Sequence, residues 1–254
     1  MSEIELSCED GVAFLKIDNR AKLNVLTPNM LQSLDDHCEE IDQRRDIRAV
    51  ILTAAESAVF CAGADIKAWG ALSPVEFARD WVQRGHRVFA RLAGLSKPTI
   101  AALSGDAIGG GLELAISCDI RIAAPDAGFS LPETQLGVVP GWSGTQRLTR
   151  LLPEPVLREI VLFGARLPAQ RAFDLGFVAE LSPEPIQTAR NWAEKLLKQA
   201  PEATTIAKFM LNAGVGEGQD RMIEVLGSGM ASALPEKSEG VRSFQEKRKP
   251  RFLP

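Results

Sequence analysis

Residues 97–119 read KPTIAALSGDAIGGGLELAISCD, and this stretch carries strand and helix signals close together. Thr99 to Leu103 is an apolar run of strand length, Gly109-Gly110-Gly111 opens a helical segment, and Asp119 to Ala123 reads as a strand again. Strand, helix, strand in that order argues for an α/β core with at least partly parallel strands.

Working outward toward the N-terminus, Ala49 to Thr53 is a second buried strand, and the periodicity predicts a helix from about Pro74 to Leu92. Thr27-Pro28 reads as an N-cap followed by proline at the first helical position, starting a helix that runs to about Arg45. Alternating segments at Ile4 to Cys8 and Val12 to Asp18 flank Glu9-Asp10-Gly11, the signature of a β-hairpin. Toward the C-terminus, strand signals end with Phe177 to Leu181, and helical periodicity covers 153–163, 168–175, 184–199, 202–214 and 218–234. The expected organisation is an α/β core over 1–195 and a helical region over 196–254, with Gly214 to Gly218 as a flexible joint. No internal repeat or low-complexity tract stands out.

Composition excludes several functions. With 254 residues, 45% of them hydrophobic, the chain can bury a large core without staples. Its 29 basic and 33 acidic residues leave a formal charge of −4 with no long basic run beyond Lys247-Arg248-Lys249, a poor match to nucleic acid. Cys8, Cys38, Cys61 and Cys118 are scattered, and His37 and His86 are the only histidines, so a zinc site is not expected. The acidic start lacks a signal-peptide pattern and no stretch reaches the ~18 apolar residues of a membrane span, so a cytoplasmic protein is expected.

Three segments could carry chemistry. In Phe60 to Lys67, small side chains let a ligand approach the backbone, so that free N–H groups can face an oxygen. In Ser104 to Ala115, the three glycines place bare N–H groups at a helix start, where the dipole favours negative charge. No Gly-Lys-Ser/Thr follows, so this is not a P-loop. Glu113 lies in the first helical turn among Leu112, Leu114 and Ile116, an apolar setting in which an ionised carboxylate is costly. The third segment, Phe129 to Gly141, holds Glu133 between Pro132 and Pro140, which stiffen it. Taken alone, the first and third segments read more readily as ordinary structure, a tight loop and a proline-rich surface turn, and for Glu113 a solvated glutamate is the plain alternative.

Together they resemble the enoyl-CoA hydratase/isomerase, or crotonase, superfamily. The matching text is CAGADIK at 61–67, KPTIAALSGDAIGGGLELAISCD at 97–119, SLPETQLGVVPGWSGTQRL at 130–148 and GVRSFQEKRKPRF at 240–252, which covers nearly the whole chain. The resemblance implies an α/β, crotonase-like spiral fold of ββα repeats with a C-terminal helical region. It implies an acyl-CoA thioester substrate, with coenzyme A part of that substrate and no metal or further cofactor. The thioester oxygen would accept hydrogen bonds from the amides of Ala64 and Gly110, and Glu113 and Glu133 would hold one water for syn addition to a 2-trans-enoyl-CoA. CoA contacts would come from Ala62, Ala64, Asp65, Ile66 and Lys67, from Gly109 and Gly110, and from Lys22 and Lys247. A homotrimer, or a hexamer of paired trimers, with no nucleic-acid or membrane partner, is expected.

The chain departs from the family pattern twice. Arg20-Ala21-Lys22-Leu23-Asn24 replaces the commoner Pro-Lys-Ala-Leu-Asn order, and Trp142 stands where a small residue is usual. The indole could fill the core or narrow the acyl pocket. The rival reactions are those of an enoyl-CoA isomerase, which would keep an acid/base at Glu133 and replace Glu113 by an apolar residue, and of a specialised acyl-CoA dehydratase or lyase. A non-catalytic acyl-CoA or RNA binder is the alternative outside enzymology.

Overall fold

The computed structural model describes residues 2–252. The expected hairpin is present: β1 (Glu3–Glu9) pairs antiparallel with β2 (Val12–Asp18). Asp10 and Gly11 have φ of 48° and 81°, the two successive positive values with which a two-residue loop matches the twist of its strands. Thr27 caps α1 (Pro28–Gln43) by accepting a hydrogen bond from the Met30 amide, and Pro28 begins the helix where no donor is required.

The chain then runs through β3 (Ala49–Ala54), β4 (Val59–Cys61) and the single turn α2 (Ile66–Trp69). The helix expected over 74–92 is helical throughout, but it has three parts: α3 (Pro74–Glu76), a π-helical stretch Phe77–Val82, and α4 (Gln83–Ala93). Such wide turns often mark functional segments, and this one faces the site described below. Next come β5 (Thr99–Leu103), β6 (Asp106–Ile108), α5 (Gly110–Ala115), β7 (Ile120–Ala123) and β8 (Gly128–Ser130). After these follow α6 (Gly144–Leu151), α7 (Glu154–Phe163), β9 (Leu167–Pro168), α8 (Ala169–Asp174), β10 (Glu180–Leu181) and α9 (Pro185–Leu196).

Six strands form a sheet in the order β1-β2-β3-β5-β7-β10, parallel except at the β1 edge. The short strands form a second sheet, β4-β6-β8-β9, parallel except between β8 and β9. Successive strands thus go one to each sheet, β3/β4, β5/β6 and β7/β8, with helical turns after them, which gives the spiral of ββα repeats. The period of two along each long strand divides the interior. Leu15, Val50, Leu52, Ala101 and Leu103 face the larger core, whereas Phe14, Ala49, Ile51, Ile100 and Ala102 face a smaller one closed by Ala189 and Ala193 of α9.

The first compact unit ends at Thr205 and the second begins at Ile206, so the division expected between 195 and 196 is displaced toward the C-terminus. Thr205 still bonds the Ser96 carbonyl at 2.8 Å. Within the C-terminal helices, α10 (Pro201–Gly214), α11 (Gln219–Ala233) and α12 (Pro235–Gln245), the last is followed by a clasp. Glu239 accepts both terminal nitrogens of Arg248 at 2.7 and 3.0 Å and the Arg251 amide at 2.7 Å. Among the described residues no helix is long and apolar enough to cross a membrane.

Candidate active site

Three elements meet at one cavity of about 100 Å³, which Ala64, Gly110, Glu113, Glu133 and Trp142 all line. The loop after β4 forms its first wall. Gly63, at φ 97°, turns this loop, and Leu26 fixes it by donating to the Gly63 carbonyl (2.7 Å) and accepting from the Asp65 amide (2.9 Å). Those bonds skip Ala64, whose own N–H finds no acceptor among the described residues.

The second wall is the start of α5. Gly109 sits at φ 53°, ψ −126°, a conformation that side chains disfavour, and its amide donates to the Ser130 carbonyl at 2.9 Å. Gly110 is the first helical residue, so its N–H has no carbonyl within the helix to bond, and none elsewhere among the described residues. A Cβ on Gly110 would stand 3.6 Å from the Ala64 nitrogen, so the two unused donors lie side by side. The helix is only six residues long, which makes these two amides, rather than a macrodipole, the main source of positive potential.

Glu113, one turn into α5, is 2% exposed, not solvated. Its Oε1 accepts from the backbone amides of Trp142 (2.7 Å) and Gly144 (2.8 Å). Ser143 between them adopts φ 78°, and this left-handed residue makes the flanking amides converge on one oxygen, a small anion nest. The Ser143 hydroxyl pairs with His86 Nδ1 at 2.9 Å. Behind the carboxylate, Arg147 donates to Ser117 Oγ (3.1 Å), which donates to the Glu113 carbonyl (2.9 Å). Burial, followed by the charge of Glu133, pushes the Glu113 carboxyl up to about 7, opposed by the two amides and by Arg147.

Glu133 opens a 3-10 turn (Glu133–Leu136) directly after Pro132, and Gly137 closes it at φ 74°. Burial raises its carboxyl to about 7. Oε1 is packed so closely to Gly109 that a Cβ there would be 2.8 Å away, and Oε2 is buried with no protein partner among the described residues. The two glutamates therefore differ: one is held by donors that favour its anion, and the other has an oxygen with none.

Trp142 is buried in an aromatic cage, with ring centroids 5.1 Å from both Trp81 and Phe89. It is a core residue and a wall of the cavity at once. Of the residues expected to contact CoA, Ala62 and Ile66 line the same cavity, and Lys22 and Asp65 meet in an ion pair at 3.3 Å. Asp65 also caps α2 by accepting from the Lys67 amide, and the Lys67 side chain is exposed. Lys247 belongs to the second unit, where it is exposed just beyond α12. His37 lies away from this cavity, half-buried on α1, and bonds the Ile4 carbonyl at 2.9 Å. Sequence reading missed Gly85, His86, Ser143 and Gly144, whose roles depend on partners far along the chain.

Comparisons with known proteins find relatives along nearly the whole chain. The family described as enoyl-CoA hydratase/isomerase matches residues 7–253. A short-chain-enoyl-CoA hydratase of Clostridium acetobutylicum is 35% identical over 253 residues, covering 98% of this chain and 97% of that protein. A crotonyl-CoA hydratase of Syntrophomonas wolfei is 34% identical over 258 residues, with 98% and 97% covered. The crystal structure of an enoyl-CoA hydratase from Bacillus anthracis superposes with a TM-score of 0.81 at 31% identity, covering 98% of each chain.

Proposed function

The chain belongs to the enoyl-CoA hydratase/isomerase family, and on that premise we propose that Glu113 and Glu133 act on a single water molecule. The protein is an enoyl-CoA hydratase, adding water reversibly and syn across a 2-trans-enoyl-CoA to give a 3-hydroxyacyl-CoA. The observation that carries the residue assignment is the unequal pair of glutamates in one cavity with the two unused amides of Ala64 and Gly110.

The thioester oxygen accepts from the Ala64 and Gly110 amides, which strengthen their hold as it becomes an enolate oxygen; one such donor contributes about 3 kcal/mol in comparable sites. Glu113, whose anion the Trp142 and Gly144 amides favour, takes a proton from the water as its oxygen bonds to C3. The π electrons of the C2–C3 bond move toward the thioester. Glu133, whose partnerless oxygen favours the neutral acid, delivers its proton to C2. The step leaves Glu113 protonated and Glu133 ionised; once that proton returns from Glu113 to Glu133, the sum is one water added across C2–C3, which calls for no cofactor beyond the CoA of the substrate.

Ala62, Ile66 and the Lys22–Asp65 pair would receive the nucleotide end of CoA, a role supported by their position at or beside the cavity. A trimeric or hexameric assembly is supported by apolar side chains that the C-terminal helices leave exposed, among them Leu211, Met230 and Phe244. A cytoplasmic setting accords with four free cysteines.

The test is the loss of conjugated-enoyl absorbance from crotonyl-CoA. Glu113→Gln and Glu133→Gln should each slow it by about 10²-fold or more. Activity unchanged in both variants would overturn the assignment.

A further inference from the structure

The side chain of Trp142 answers a question that the catalytic residues leave open, namely how long an acyl group the cavity admits. The six-membered edge of the indole lies against Gly110: a Cβ there would be 2.9 Å from Cζ3 and 3.1 Å from Cε3. Its five-membered edge lies against Gly85, where a Cβ would overlap Nε1, Cε2 and Cδ1. Gly85 is a buried glycine inside α4, a position where glycine costs about 1 kcal/mol relative to alanine. The indole supplies the reason for that glycine.

Trp81 and Phe89 close the remaining sides, each with its ring centroid 5.1 Å from that of Trp142. The backbone of the same residue is fixed by its 2.7 Å hydrogen bond to Glu113. Gly85, Trp81 and Phe89 thus hold the ring against the cavity. The ring stands beside the amide that would hold the thioester oxygen and on the residue that bonds Glu113, so it bounds the cavity next to the reacting groups.

From this cage we infer that Trp142, seated in the notch of Gly85, is the end wall of the acyl pocket and restricts the enzyme to short-chain enoyl-CoA substrates. The inference rests on the hydration reading of the same cavity and adds the specificity-determining residue. It makes Gly85 a positioning residue that never touches the substrate.

The experiment measures hydration of crotonyl-, hex-2-enoyl- and dec-2-enoyl-CoA, together with calorimetric Kd values for butyryl- and decanoyl-CoA, in wild type, Trp142→Ala and Trp142→Phe. In wild type, kcat/KM should fall about 10²-fold or more from crotonyl- to decenoyl-CoA. Trp142→Ala should raise the ratio of the decenoyl to the crotonyl value about tenfold or more. Trp142→Phe should gain on hexenoyl-CoA first, and it carries the comparison if the alanine variant does not fold.

Equal kcat/KM across chain lengths in wild type, or parallel length profiles in wild type and the variants, overturns the inference. If wild type hydrates no enoyl-CoA, the hydration reading falls while binding still decides the wall. An affinity for decanoyl- relative to butyryl-CoA that rises in the variants upholds it, and an unchanged ratio overturns it.

Discussion

Gly144 donates its amide to Oε1 of Glu113 over 2.8 Å, and a Cβ on that glycine would stand the same 2.8 Å from the same oxygen. The carboxylate is thus held by a backbone position that tolerates no side chain. Gly144→Ala should displace Glu113 and lower kcat on crotonyl-CoA by roughly 10²-fold, the usual cost of a misplaced reacting group. The fold should survive with a loss of about 1–3 kcal/mol from overpacking. Steady-state kinetics with circular dichroism separates the two effects, and an undiminished kcat would contradict the arrangement.

Both carboxyls are raised to about 7, and the proposed mechanism requires the pair to hold one proton between them. The kcat/KM of wild type should therefore peak near neutrality. It should decline in acid as Glu113 is protonated and in alkali as Glu133 is ionised, the two limbs belonging to the coupled pair. Glu133→Gln should lose the alkaline limb in its residual activity. A wild-type profile that stays level well into alkali would exclude the shared proton.

Stability should change with pH in a definite sense. The folded carboxyl of Glu113 is raised from an ordinary 4.5 to about 7, so the native state holds its proton more tightly than the unfolded chain does. The contribution is fully present below 4.5 and is lost as the pH rises through about 7. It amounts to roughly 3 kcal/mol at one pKa unit per 1.36 kcal/mol. Glu113→Gln, inactive but uncharged, should melt several degrees above wild type at about pH 9 and level with it at about pH 4. Tm values that track each other across this range would show that the carboxylate carries no burial penalty.

Gly85 and Trp142 should be strongly coupled. Gly85→Ala gains about 1 kcal/mol of helix propensity, but its Cβ collides with the indole, and overpacking of this kind costs about 1–3 kcal/mol. The single substitution should destabilise wild type, whereas in a Trp142→Ala background it should be neutral or stabilising. Urea denaturation of the four proteins in a double-mutant cycle measures the coupling, and additive effects would mean that the glycine is not the notch for the ring.

What could be read without coordinates follows the range of the interactions. The hairpin, the Thr27 cap of α1 and the β5 strand are set by neighbours within a few residues, and all three occur as expected. The strands β4, β6 and β8 are three residues each, too short for a period of two to show, so the whole second sheet was invisible. Phe177 and Val178, expected in a strand, are buried in a turn before the two-residue β10. At the site, Glu113 and Glu133 became a pair only through their resemblance to a family. The Ser143–His86 bond spans 57 positions, and nothing local in either segment announces it.

Residue 142 serves two masters that do not meet. Its amide secures Glu113, a service that any residue other than proline renders equally, and its ring alone touches the acyl space. A lineage carrying this nest can exchange one fatty acyl diet for another by substitution at a single codon, with a second change at Gly85 to restore the packing, while the chemistry passes down untouched.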